Sequence, residues 1–374
     1  MTSTEPAAAR IAATLGDSAS VRWFRAPGRV NVVGDHTDYN EGFVLPLAID
    51  RDCLVAARPA STVRVRSLDT AGAVDLPADG SAGPAETQPP WGRLVAAVVR
   101  ELARLGRPAV GMDAIVASDV PLGAGLSSSA AFEVACATAL VSLAGWEPSP
   151  RELAFACRDA EESATGVPCG VMDQLASVCG HRDAALLIDC RSLDVRPVLL
   201  PEQLALLVVH SGIPRTLGAS AYADRRRACE DLARTLGLTA LRDATASDVA
   251  GEPLGRHVVS ENARVLEAAQ ALAEEDLGAL GRLLVESHAS LRDDFEVSTP
   301  ELDVLVEELL AAGALGARLT GAGFGGCVVA ACESGSEQAV AAAGIARYRR
   351  RTNLAARAFV CRAVDGAAPV EAPP

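Results

Sequence analysis

The chain has 374 residues, 49% of them apolar and 22% charged, a balance ordinary for a soluble globular protein and a length that allows two or three domains. A formal charge of −14, from 34 Arg and Lys against 48 Asp and Glu, repels phosphate backbones and excludes nucleic-acid binding by bulk electrostatics. No apolar run approaches the ~20 residues of a bilayer span, Met1 to Arg10 lacks the order of a secretory signal, and ten cysteines in this context read as reduced thiols of a cytoplasmic protein.

In chain order, residues 21–24 and 43–49 predict strands, followed by β-rich segments at 54–57 and 63–67. Residues 72–90, rich in Gly, Pro and Ala, predict a surface loop. Helical spacing of apolar residues predicts helices over 94–105, 126–143 and 151–163, the second with Phe132, Cys136, Leu140 and Leu143 on one face; a strand at 113–117 precedes it. Residues 185–188 and 204–209 are apolar enough for buried strands. Pro197 and Pro201 bracket a crossing that divides the chain into domains at 1–197 and 198–365. The second half is helical at 221–236 and 260–291, then returns to strand at 317–319 and 327–331. Residues 366–374, rich in Pro and Ala, predict a disordered tail. No internal repeat is present, and the mixed order predicts an α+β fold of two lobes.

The sequence contains no lysine. That excludes a Schiff-base lysine and a P-loop with its phosphate-reaching lysine, so any nucleotide phosphate must be held by backbone N–H groups, arginine and a metal ion. Residues 121–130 (PLGAGLSSSA) suit that task. Gly123 and Gly125 permit positive φ, and three serines open a helix whose orphan N–H donors form an anion site. Residues 26–42 (APGRVNVVGDHTDYNEG) gather Arg29, Asp35, His36, Asp38 and Tyr39 between strands. Asp35, His36 and Asp38 offer acceptors and a switchable imidazole suited to a polyol. The same trio is also compatible with a metal site or with a solvated turn.

These two segments, in this order, resemble the signatures of the galactokinase branch of the GHMP small-molecule kinase superfamily. Residues 319–327 (LTGAGFGGC) resemble that superfamily's C-terminal glycine motif. Further matches lie at 168–174 (PCGVMDQ), 222–230 (YADRRRACE), 257–262 (HVVSEN) and 286–296 (ESHASLRDDFE), so the resemblance runs from about 25 to 364. It implies an N-terminal lobe like ribosomal protein S5 domain 2, a ferredoxin-like C-terminal lobe, and a site in the cleft between them. The implied reaction is ATP-dependent phosphorylation of galactose to galactose 1-phosphate, as in galactose catabolism.

Residue by residue, the resemblance makes Asp173 the catalytic aspartate with Arg29 beside it. Asp35, His36, Asp38, Gly170 and Tyr222 fall at sugar-binding positions, and Ser129 and Glu161 at magnesium positions. Pro121, Gly123, Ala124, Gly125, Leu126, Ser127, Ser128 and Ser129 fall in the ATP phosphate loop, and Trp91 near adenine. The implied partners are galactose and ATP, with no nucleic acid or membrane, in a monomer. Three departures stand out: Asp35 where the family usually has Glu, residues 213–216 (IPRT) in place of a Val-Arg-His-like run, and Glu162 where His or Asn is common. The first two leave open another aldose or an amino sugar as substrate. A catalytically silent sugar sensor is disfavoured, because Ser127, Ser128, Ser129, Ala130, Arg29 and Asp173 are all present.

Overall fold

Val63 and Val65 are buried while Arg64 and Arg66 are exposed, the period-two signature of a strand with one wet face. The structure, a computed structural model, describes residues 5–16, 21–214 and 218–372. Helix α1 (Ala7–Leu15) precedes strands β1 (Arg22–Asn31), β2 (Phe43–Val44), β3 (Pro46–Ala60), β4 (Thr62–Ser67) and β5 (Ala73–Pro77). Then come α2 (Gly92–Arg104), β6 (Gly111–Ser118), α3 (Ser128–Leu143), α4 (Pro150–Thr165), α5 (Met172–Cys179), β7 (Ala184–Asp189), β8 (Val195–Leu199) and β9 (Leu204–His210). The chain continues through α6 (Gly218–Thr235), α7 (Pro253–Ala273), α8 (Leu277–Asp293), α9 (Pro300–Ala311), β10 (Gly316–Thr320), β11 (Cys327–Glu333), α10 (Glu337–Thr352), β12 (Arg357–Cys361) and β13 (Ala368–Val370).

Among the described residues three sheets form, ordered β13-β1-β3-β6-β4-β5, β2-β7-β8 and β10-β11-β9-β12. All pairings are antiparallel except β4 with β6. The mixed α/β architecture agrees with the expected fold class. Helix α3 lies against β1, β3 and β6, with α2, α4 and α5 around it. It is therefore buried on nearly all sides rather than along one face, and Phe132 and Leu143 are among its less buried residues. All ten cysteines are free thiols. Among the described residues, no helix is long and apolar enough to cross a membrane.

Several expectations are corrected. Within the expected loop at 72–90, Ala73–Pro77 forms β5, burying Val74 and Leu76 against β4, with Pro77 tolerated because β5 is an edge strand. Part of the expected disordered tail is strand β13: Ala368, Pro369 and Val370 pair with Arg25, Phe24 and Trp23 at the other edge of that sheet. The helix expected over 260–291 is two helices. Glu275 takes a left-handed φ of 57° and Asp276 caps α8 through the N–H of Ala279, so the chain turns back where side-chain pattern alone is continuous. The serine helix starts at Ser128 rather than near Leu126, because Ser127 is itself left-handed. Of the departure at 213–216, Arg215 and Thr216 lie outside the described residues.

Candidate active site

The loop between β6 and α3 carries positive φ at Gly123 (70°) and Gly125 (81°), as its composition predicts, and also at Ser127 (57°). A serine in that region is strained and must be held by its surroundings. Its hydroxyl donates to Asp173 Oδ2. Arg29, on β1, ties the loop to the same carboxylate. Its N–H donates to the Leu126 carbonyl at 3.1 Å, Nη1 to the Gly125 carbonyl at 2.7 Å, and Nε and Nη2 approach Asp173 Oδ1 at 2.8 and 2.7 Å. The Arg29 side chain is 6% exposed and that of Asp173 29%, so the carboxylate is braced from within and open to a ligand. Asp173 occupies the first turn of α5, where unpaired N–H groups favour an anion.

Behind this pair, Glu161 on α4 accepts Ser129 Oγ at 2.6 Å on one oxygen and Gln174 Nε2 at 2.7 Å on the other. Burial raises the Glu161 pKa, and the fully buried Glu133 of α3, near Gln174, is raised further by burial and by Glu161. Glu161 and Ser129 present hard oxygens. Magnesium takes one or two carboxylates and completes its shell with phosphate and water oxygens, so this donor set fits it. Among the described residues no cluster of three or more His, Cys, Asp or Glu is arranged to hold a metal ion.

On the facing side, the turn after β1 carries Asp35, His36 and Asp38. His36 has a φ of 65°, and its ring lies 5.6 Å from that of Tyr222 and 4.6 Å from that of Phe295, with Nδ1 2.9 Å from the Tyr39 hydroxyl. Asp35 is buried, accepting Asn31 Nδ2 at 3.1 Å on one oxygen and Arg318 on the other. Gly170 must lack a side chain, since a Cβ there would stand 1.7 Å from Asp38 Oδ2. Burial, then the charge of Asp173, pushes the Asp38 pKa up to about 6. Burial also holds the Tyr222 phenol well above its ordinary value, leaving it a neutral donor. Glu162 accepts the Cys169 N–H at 3.0 Å, and Arg226, 3.8 Å from Glu162, donates to the Cys169 carbonyl at 3.3 Å. That pair shapes the backbone leading to Gly170.

One cleft of about 330 Å³ collects Arg29, Asp35, His36, Asp38, Gly123, Gly125, Ser127, Ser128, Ser129, Glu161, Gly170, Asp173 and Tyr222. That volume suits a small polar ligand. Gly321 and Ala322, from the C-terminal glycine motif, close it from the other lobe. Trp91 lies instead on an adjoining apolar cavity of about 200 Å³ shared with Ser128, Ser129 and Phe132, its indole N–H bonded to the Ala71 carbonyl at 3.0 Å. Pro121 and Ala124 line a third cavity on the far side of the loop. Leu126 is in the core and contributes its carbonyl to Arg29. Sequence reasoning assigned no role to Gln174, Glu133 or Arg318. The 174 and 318 positions sat inside or beside matched motifs, but only packing reveals what they touch.

Residues 12–59 match the galactokinase galactose-binding signature, residues 93–181 the GHMP kinases N terminal domain, and residues 268–350 the GHMP kinases C terminal domain. A galactokinase from Roseiflexus sp. is 47% identical over 360 residues, 91% of each chain. One from Chloroflexus aggregans is 44% identical over 357 residues, 91% of this chain and 92% of its own. The crystal structure of Lactococcus lactis galactokinase complexed with galactose superposes with a TM-score of 0.90 at 29% identity, covering 97% of this chain and 98% of that one. Methanococcus jannaschii mevalonate kinase superposes with a TM-score of 0.68 at 18% identity, covering 93% and 99%, a likeness of fold alone.

Proposed function

The chain belongs to the galactokinase family of GHMP kinases, and we propose on that premise that it transfers the γ-phosphoryl group of ATP to the anomeric hydroxyl of galactose at the cleft around Asp173. The observation that carries the reading is the junction of Arg29, Asp173 and Ser127 at the mouth of a glycine-bent loop opening a helix. Phosphoryl transfer requires little covalent work from a protein. It requires in-line placement and neutralisation of charge on the moving group.

The loop and the first-turn N–H groups of α3 cradle the triphosphate, which a chain without lysine has few other ways to hold. Arg29 holds the loop and Asp173 in one fixed relation, so the phosphate cradle and the acceptor site cannot drift apart. Asp173 orients the sugar hydroxyl and takes its proton as the new P–O bond forms. Asp35, His36, Asp38 and Tyr222 bind the remaining hydroxyls, Asp38 as acceptor and Tyr222 as donor. Glu161 and Ser129 would hold magnesium, which when bound neutralises phosphate charge. Trp91 and the apolar cavity beside Ser128 suit the adenine ring.

A division of the chain at 197/198, a monomeric state and a cytoplasmic setting complete the proposal; free thiols and use of ATP support the last. The test is a panel of aldoses and amino sugars offered with Mg-ATP. Galactose releases ADP and yields an acid-labile 1-phosphate. Preference for another sugar would shift the substrate and keep the reaction class, and no ATP consumption with any sugar would sink the reading.

A further inference from the structure

The turn that follows β1 is strained and only partly self-supporting: Thr37 Oγ1 contacts the Gly34 and Phe43 carbonyls at 2.9 and 2.7 Å, and Asn40 Nδ2 donates to the His36 carbonyl at 2.8 Å. Gly34, His36 and Glu41 all have positive φ, at 99°, 65° and 57°, and non-glycine residues remain there only when their surroundings over-determine them. Further support comes from α7. His257 Nε2 lies 3.1 Å from the Asp35 carbonyl, Glu261 Oε1 accepts the Gly34 N–H at 2.9 Å, and Asn262 Oδ1 accepts the Phe43 N–H at 2.8 Å. His257 and Glu261, four apart, share one face of the helix and Asn262 is the next residue round, so together they grip the turn near both of its ends.

The grip is itself held from behind. A carbonyl only accepts, so His257 Nε2 carries the proton and Nδ1 accepts from Ser290 Oγ, 2.9 Å away on α8. Ser287 donates to Glu261 Oε1 at 2.7 Å and Arg264 to Oε2 at 2.8 Å. Arg318, on β10, donates to the Val32 carbonyl at 3.0 Å and to Asp35. His257, Glu261 and Arg318 have no exposed surface, and none of the four, with Asn262, lines the cleft. Among the described residues, the phosphate loop makes no hydrogen bond to this network. Arg29 holds it, entirely through β1, the loop and α5.

We propose that His257, Glu261 and Asn262 are positioning residues for the sugar, which set galactose affinity by fixing the backbone of the 34–43 turn without touching the ligand. The inference rests on the reading of that turn as the sugar pocket, and it gives residues 257–262, a matched motif with no assigned role, a specific one.

The test compares Asn262→Ala with Asn262→Asp, which keeps an acceptor for the Phe43 N–H. Losing the partner of a held N–H raises the KM for galactose by about tenfold in Asn262→Ala while the KM for ATP stays within about twofold. The galactose-dependent rise in melting temperature shrinks accordingly, and the ATP-dependent rise persists. Asn262→Asp recovers most of the loss. Ser290→Ala, which removes the hydroxyl fixing the His257 tautomer together with its 3.2 Å contact to Asp294 Oδ2, moves galactose KM the same way by a smaller factor and decides the matter should Asn262→Ala not fold. Unchanged galactose KM in a folded variant, or equal movement of both KM values, overturns the proposal. If Asp38→Ala loses galactose and Asn262→Ala does not, positioning alone fails. If Asp38→Ala also keeps full galactose affinity, the pocket reading fails and takes this one with it.

Discussion

Asp173 and Asp38 open onto the same cleft and are provided for in opposite ways. Asp173 has its partners before any ligand arrives, with Arg29 on one oxygen, Ser127 on the other and the amino end of α5 beneath it. Asp38 has, among the described residues, the Tyr39 N–H for stabilisation and only a weak influence from Arg226, while burial and the Asp173 charge push its pKa to about 6. The carboxylate proposed to serve phosphoryl transfer is arranged in advance by the protein. The one proposed to serve the sugar is left short of donors, which the hydroxyls of a polyol would supply. Pre-arrangement speeds the chemical step, and incompleteness makes binding selective for a ligand that brings donors.

The sharpest challenge to this contrast is Asp173→Asn. Its kcat falls by about 10²–10⁴ while ATP and galactose still bind, as single-turnover ADP release and calorimetry will show; ordinary turnover would end the assignment. Asp38→Asn comes next. Galactose KM rises by about 10–100-fold with a smaller change in kcat, because charge-assisted hydrogen bonds to the sugar are lost. In the unmodified enzyme kcat/KM for galactose falls on the acid side of about pH 6 as Asp38 takes up a proton, and Asp38→Asn loses that limb.

The same shift has a stability consequence with the opposite pH sense from a salt-bridged carboxylate. A raised acid keeps its proton in the folded state between the ordinary carboxylate range and about 6, so the group destabilises the ligand-free fold above that window and ceases to do so below it. Asp38→Asn therefore melts higher than the parent at about pH 8, and the difference closes below about pH 4. Equal melting curves at both values would mean that Asp38 carries no burial penalty. Ser127→Ala lowers kcat by about tenfold, the cost of one donor to Asp173, and leaves galactose KM alone. Trp91→Ala is the smallest, raising ATP KM about fivefold with no effect on galactose, since one aromatic face is worth about 1 kcal/mol.

Local signals carried much of the molecule. The glycines of 121–126 have the positive φ their composition called for, and the helices near 94–105 and 151–163 formed where apolar spacing placed them, the latter with a Ser149–Glu152 capping box. Short elements escaped. Helix α5 has eight residues, too few for a period to be seen, yet it carries Asp173. Strand β13 is made of Ala, Pro and Val that only the free edge of β1 turns into a strand. At the site, Asp173, Arg29, Asp35, His36, Asp38, Gly170, Tyr222, Ser129 and Glu161 were legible from motifs and do share one cleft. The second tier, with Gln174 on Glu161 and α7 on the 34–43 turn, lay in matched motifs but had no role legible there, because contacts between elements distant along the chain leave no periodic trace.

A motif of ten residues can specify a glycine bend, a run of helix-opening hydroxyls and a turn full of acceptors, because φ preferences, capping and side-chain chemistry act within a few bonds. The chemistry the chain performs was readable at that range. Which charge meets which was not: Arg29 reaches Asp173 across 144 residues and Arg318 reaches Asp35 across 283. Those pairings, and the raised pKa of Asp38, follow from how the sheets and α7 pack, because electrostatic environment depends on distance and burial in space rather than on order along the chain.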